Sequence, residues 1–187
     1  MYFYTNCAAA KMVWRQVLLL GGKRMRRYVA LLMSAVLVGI DQILKVLAIQ
    51  YLKPVGSHPI IPDIFHLTYV ENRGAAFGMM AGQKWLLVWA TAIVILAAIV
   101  VVMAGKIKNA MVLFAVATII GGGVGNLIDR VYRGFVVDYV HLKVINFAVF
   151  NFADICVTVG TAMLLVYLLF YELRHKNKEA AGETKGA

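Results

Sequence analysis

Asp138 sits in GFVVDYVH among three valines. Asp154 sits in FNFADICVTVG, ahead of a run, TAMLLVYLLFY, that carries no charge before Glu172. A carboxylate beside so much apolar side chain costs several kcal/mol unless it faces protein partners or water. Two carboxylates that converge on one cavity have a well-understood use. Like charges a few ångströms apart do not both ionise easily, so one of the pair keeps a proton near neutral pH. The ionised partner then acts as general base on a shared water, and the protonated one donates to a carbonyl oxygen and later to the leaving amine. This is amide hydrolysis by paired acids, with no nucleophilic side chain and no metal. Spacing alone leaves the alternative open: unrelated structural roles, with Asp154 serving a helix start.

Other polar residues crowd near the same ends of apolar runs. Asp41 and Lys45 stand at i and i+4, a spacing that permits an ion pair on one helical face, and they are expected to brace helices rather than react. GGGVGNLIDR carries Asn126, Asp129 and Arg130 on one helical face, with Arg130 expected to offset Asp129 and the trio to fix the turn that follows. Gly121 and Gly125 in the same stretch form a small-xxx-small face for close helix approach. Asn151, Asp154 and Thr158 share a face if they lie on a helix.

The elements that must position these groups follow from composition. The chain has 187 residues, 62% hydrophobic and 15% charged, with mean hydropathy +0.79. A soluble domain is about half apolar and a quarter charged, so this is a helical membrane protein. Four segments reach the ~20 apolar residues that a crossing helix needs. They run from Tyr28 to about Leu52, from Trp85 to Ala104, from near Asn109 through AMVLFAVATIIGGGVGNLI, and from near Phe152 to about Tyr171. Trp85, Trp89, Tyr51, Tyr167 and Tyr171 near the span ends suit interfacial anchoring. The net charge of +10 lies beside apolar runs, which reflects topology and not nucleic-acid binding.

Lys11, Arg15, Lys23, Arg24, Arg26 and Arg27 precede the first span, Lys106 and Lys108 fill a short loop, and Arg174, Lys176, Lys178 and Lys185 follow the last. Cytoplasmic termini and outward loops at 53–84 and 130–151 are therefore expected. Residues 28–173 form one membrane domain, 1–27 a basic cytoplasmic leader and 174–187 a polar cytoplasmic tail, its end expected to be disordered. Met25 followed by RRYVALL is a more natural start than Met1, and no function rests on residues 1–24. FHLTYVENRGAAFG, broken at Asn72-Arg73-Gly74, and GFVVDYVHLKVINFAVF read as short strands of a small β-platform on the outer membrane surface. Cys7 and Cys156 are unlike partners, so no disulfide framework or metal motif is expected. His58, His66, His141 and His175 lack HExxH spacing and are expected in surface loops.

Five stretches together carry a resemblance: Asp41-Gln42-xx-Lys45, ENRGAAFG at 71–78, GNLIDR at 125–130, VVDYV at 136–140 and FNFAD at 150–154. In that order, from about Met25 to about Tyr171, they resemble bacterial lipoprotein signal peptidase (signal peptidase II). The resemblance implies a four-helix intramembrane aspartic endopeptidase of the bacterial cytoplasmic membrane, with its site near the outer face beneath a β-cradle. It implies a diacylglyceryl-modified prolipoprotein as substrate, cut on the amino side of the lipidated cysteine, and sensitivity to globomycin. It implies catalytic roles for Asp138 and Asp154. Asn72, Gly74, Phe77, Asn126, Asp129, Arg130 and Asn151 then bind substrate or support the pair, as do Asp41 and Lys45. Neither cofactor nor metal is implied, and a monomer is expected because four helices can enclose a site.

Two rivals belong to other classes. A small proton- or ion-coupled transporter would relay through Asp41, Asp129 and Asp154, but it calls for internal repeats and broken spans, and no repeat is evident. A scaffold would use the carboxylates only to pair Arg130, Arg133 and Lys45.

Overall fold

The computed structural model describes residues 3–74, 82–145 and 147–183; for 3–21, 23 and 174–183 it describes the backbone alone. Helix α1 runs Phe3–Leu47 and continues through a wider turn of π-helix, Ala48–Leu52. Strands β1 (Ser57–Ile61) and β2 (Phe65–Asn72) follow, then α2 (Lys84–Met103) and α3 (Ala110–Tyr132). Strand β3 (Val136–Leu142), a single 3₁₀ turn (Lys143–Ile145) and α4 (Phe152–Glu183) complete the chain. Among the described residues, four helical stretches are long and apolar enough to cross a membrane: Arg24–Leu52, Lys84–Met103, Ala110–Tyr132 and Phe152–Leu173.

Helix α3 packs against α1, α2 and α4. Its small residues make that possible, since a bilayer offers little hydrophobic force between helices and close packing must replace it. A Cβ on Gly121 would lie 3.0 Å from Leu37 Cβ and 3.1 Å from the Ser34 carbonyl, and one on Gly122 would collide with the Ala153 carbonyl. A Cβ on Gly125 would collide with the Asp41 carboxylate. Ser34 Oγ adds a 2.7 Å bond to the Ala117 carbonyl across α1 and α3. Outward-facing side chains such as Leu32, Trp89, Ile93 and Leu165 are apolar and exposed, as a lipid-facing surface requires. Helix α3 is capped at its start, the Asn109 side chain accepting from Val112 N at 3.2 Å.

The three strands form one antiparallel sheet in the order β1-β2-β3. Val70 pairs with Asp138 and Asn72 with Val136, while a register shift between Leu67 and Val70 adds a residue to β2. An isolated bridge from Val140 to Phe150 then ties the sheet to the start of α4. The sheet therefore delivers Asn72, Asp138 and Asn151 to one place.

Several boundaries differ from expectation. Helix α3 runs two residues past Arg130, so that loop starts later. The backbone of α1 is helical from Phe3, and α4 continues through KNKEAAGE to Glu183 where disorder was expected. Lys, Glu and Ala are strong helix formers, and a helix already nucleated by the span extends at little cost. His66 and His141 are not loop residues. They face each other across β2 and β3, partly buried, with ring centroids 6.4 Å apart; His58 is exposed but lies in strand β1, and the backbone at His175 is part of α4.

Candidate active site

The first turn of α4 leaves no amide idle. Asn151 Oδ1 accepts from Asp154 N at 3.0 Å, and Asp154 Oδ2 accepts from Asn151 N at 3.1 Å, a reciprocal capping box. Between them, Phe152 N donates to the Tyr139 hydroxyl at 3.2 Å and Ala153 N to Asp41 Oδ1 at 3.1 Å. Helix starts normally expose about four unsatisfied N–H groups. Here four side chains, from α1, β3 and the turn itself, take them all. Asp154 thus does serve a helix start, as N3 of the box rather than as the cap residue.

One Asp154 oxygen remains for other work. Its Oδ1 accepts from Asn126 Nδ2 at 2.8 Å. Asp138, on β3, receives Asn72 Nδ2 at 3.0 Å on one oxygen and Asn151 Nδ2 at 2.6 Å on the other. Asn72 is itself pinned, because its Oδ1 accepts from Gly74 N at 2.9 Å. Asn151 therefore touches both aspartates, one through its side chain and one through its backbone. Burial, and then the neighbouring Asp154, push Asp138 up to about 6, although the bonds from Asn72 and Asn151 pull the other way. No Lys or Arg among the described residues forms an ion pair with either carboxylate.

Asp41 and Asp129 live differently. Lys45, fully buried, sits 2.9 Å from Asp41 and 3.1 Å from Asp129, and it also donates to Asn126 Oδ1 at 2.9 Å. Asp129 further pairs with Arg133 and accepts from Val137 N at 3.0 Å. Gln42 bridges the group, donating to Asp41 at 3.1 Å and to the Gly125 carbonyl at 3.2 Å. Asn126 is the hinge between the two sets, touching Lys45 on one side and Asp154 on the other.

Asp138 and Asp154 open onto a single cavity of about 1030 Å³, whose polar wall also holds Asn72, Asn126 and Arg130. The rest of the lining is largely apolar and includes Thr91 of α2, Gly123 of α3 and Val157 and Thr158 of α4. Arg130 donates to the Gly74 carbonyl at 3.0 Å. The expectation that it offsets Asp129 is overturned. Adjacent helical residues diverge by about 100°, whereas Arg133 at i+4 lies on the Asp129 face. The structure thus brings together Asp41, Lys45, Asn72, Gly74, Asn126, Asp129, Arg130, Asp138, Asn151 and Asp154. Phe77 lies outside the described residues. Gln42 and Tyr139 are not singled out as site residues from sequence, and Arg133 is named only in the scaffold reading. The i+4 spacing from Asp129 signals Arg133, and Gln42 stands inside the quoted motif, but nothing in the sequence signals the Tyr139 hydroxyl.

Comparison with known proteins identifies the family. A family model described as "Signal peptidase (SPase) II" matches residues 33–170. The chain belongs to the signal peptidase II family. Lipoprotein signal peptidase of Clostridioides difficile (strain 630) is 40% identical over 146 residues, covering 78% of this chain and 98% of its own. That of Caldanaerobacter subterraneus subsp. tengcongensis is 43% identical over 143 residues, covering 76% and 97%. A solved structure described as "Bacterial membrane enzyme structure by the in meso method at 2.3 A resolution" superposes with TM-score 0.69 at 28% identity, over 75% of this chain and 87% of that one. The helical membrane fold with its small β-platform is that of the family.

Proposed function

We infer that this signal peptidase II removes signal peptides from prolipoproteins, using Asp138 and Asp154 as a catalytic aspartate pair. The observation that carries this reading is that both carboxyls open onto one cavity, each held by amide donors and, among the described residues, neither by a cation in an ion pair. A water between them would lose its proton to one carboxylate as it attacks the scissile carbonyl carbon. The other, protonated, donates to the carbonyl oxygen, forming a neutral gem-diol. Collapse of the gem-diol breaks the C–N bond, with a proton passing to the departing amine. The products are a carboxylic acid and a free amino group, and the pair regains its single proton. Because the two titrate as a unit, the shared proton belongs to the pair.

The substrate is a prolipoprotein already carrying diacylglyceryl on its cysteine, cut on the amino side of that residue. A cavity with one polar wall and an otherwise largely apolar lining suits a peptide whose signal helix and acyl chains both lie in lipid. The remaining assignments follow from chemistry. Asn72 and Asn151 orient Asp138, Asn126 orients Asp154, and Arg130 holds the Gly74 carbonyl at the rim. Asp41, Lys45 and Asp129 brace the helices, Gly74 and Phe77 shape the substrate site, and globomycin competes for the cavity. Both termini face the cytoplasm, a reading that the basic flanks support, and the cavity lies at the outer face of the bacterial cytoplasmic membrane; the chain works as a monomer.

The test is cleavage by purified enzyme of one prolipoprotein with and without its diacylglyceryl group, with the new ends read by mass spectrometry. Cleavage only of the lipidated form, immediately before the modified cysteine, is expected. Equal cleavage of the unmodified form, or a cut elsewhere, would contradict the substrate assignment.

A further inference from the structure

Strand β3 alternates its side chains between two faces, as any strand must. Asp138 faces the cavity. Tyr139 faces the other way, 9% exposed, into a cluster with Ala48, Leu52 and Val137 and with Leu44 and Ile49 around it. Packed on that cluster, the ring has little freedom, so its hydroxyl is delivered to a fixed point, where it receives Phe152 N at 3.2 Å. Consecutive residues of one strand thus supply one carboxyl of the pair and an anchor for the helix that carries the other.

The anchor does something the capping box does not. The reciprocal bonds of Asn151 and Asp154 fix the shape of the turn, but both partners lie within the turn and neither bond sets where it sits. Location requires ties to other elements. The first-turn amides supply two, Ala153 N to Asp41 on α1 and Phe152 N to Tyr139 on β3. The second lies inside the helix turn itself, one residue beyond the cap, and adds to the Val140–Phe150 bridge in tying α4 to the strand that carries Asp138. The hydroxyl itself does not face the cavity wall formed by Asp138, Asn126 and Arg130.

We propose that Tyr139 is a positioning residue for the hydrolysis, its hydroxyl setting the placement of Asp154 against Asp138 through the Phe152 amide. This rests on the aspartate-pair reading. Small displacements of a catalytic group cost rate steeply, while substrate held elsewhere in the cavity keeps its affinity.

The experiment uses the full-length enzyme and the lipidated prolipoprotein, comparing wild type, Tyr139→Phe and Asp154→Asn. Tyr139→Phe removes one oxygen and no packing volume. It is expected to lower kcat about ten-fold with KM changed by less than about two-fold. Amide hydrogen exchange should quicken at residues 152–155 while the middle of α3 keeps its protection. Wild-type kcat, a rise in KM alone, or loss of protection spread evenly over all helices would each overturn the proposal. Asp154→Asn separates the two ideas. If that variant turns over substrate, the aspartate-pair reading falls and this inference with it. If it is inactive while Tyr139→Phe is normal, only the positioning role falls.

Discussion

Asp41 and Asp129 share a lysine; Asp138 and Asp154 share an asparagine. The two pairs are neighbours, joined through Asn126, yet their electrostatics are opposite. Around Lys45 every buried charge has a counter-charge within about hydrogen-bonding distance, which lets ions persist away from water as helix glue. Around Asn151 the partners are amides. They hold the carboxyls in place without neutralising them, so burial and mutual repulsion push Asp138 up to about 6. Only this second pair opens onto the cavity. Closed ion clusters brace the molecule, and carboxyls held by neutral donors are left able to exchange protons.

Breaking the closed cluster should have the largest effect on the fold. Lys45→Met strands the buried Asp41 carboxylate and leaves Asp129 only Arg133 as counter-charge, and is expected to cost about 3–5 kcal/mol, read as a large fall in Tm in detergent. A near-normal Tm would mean the triad does not hold the helices. Gly122→Ala attacks the seam between the regions, since its Cβ meets the Ala153 carbonyl and must push α4 from α3. A cost of about 1–3 kcal/mol with a fall in kcat is expected, because the Asn126 to Asp154 bond crosses that seam.

The open pair carries a pH signature. Asp138 is raised when folded, so its contribution to stability is complete below its unfolded value of 3.8 and is lost as pH rises through about 6. Tm should therefore fall between roughly pH 4 and pH 6 and level off above that, and Asp138→Ala should flatten that part of the profile. A slope unchanged by the substitution would place the titration elsewhere. The smallest effect belongs to a pair outside both regions. Lys53 and Glu71 lie 3.0 Å apart at the surface, and Lys53→Gln should leave Tm almost unchanged.

The sequence carried the spans, the strands and the residue types of both regions, because hydropathy and strand alternation are local signals. The i, i+4 spacing of Asp41 and Lys45 also announced their ion pair correctly. What it did not carry is partnership across elements. Arg130 was expected on Asp129 because they are adjacent, whereas helical geometry gives Asp129 to Arg133 and frees Arg130 for Gly74. That Lys45 also reaches Asp129, and that Tyr139 caps α4, depends on how β3 and α1 meet the start of that helix. No local pattern encodes such a meeting.

The central claim is that Asp138 and Asp154 act together on one water. Its most direct test is the rate at which purified Asp138→Asn and Asp154→Asn variants cleave a diacylglyceryl-modified prolipoprotein, with amide exchange confirming that each is folded. Each variant is predicted to be intact and slower by roughly 10³-fold or more. Turnover within about ten-fold of wild type by either folded variant would contradict the account.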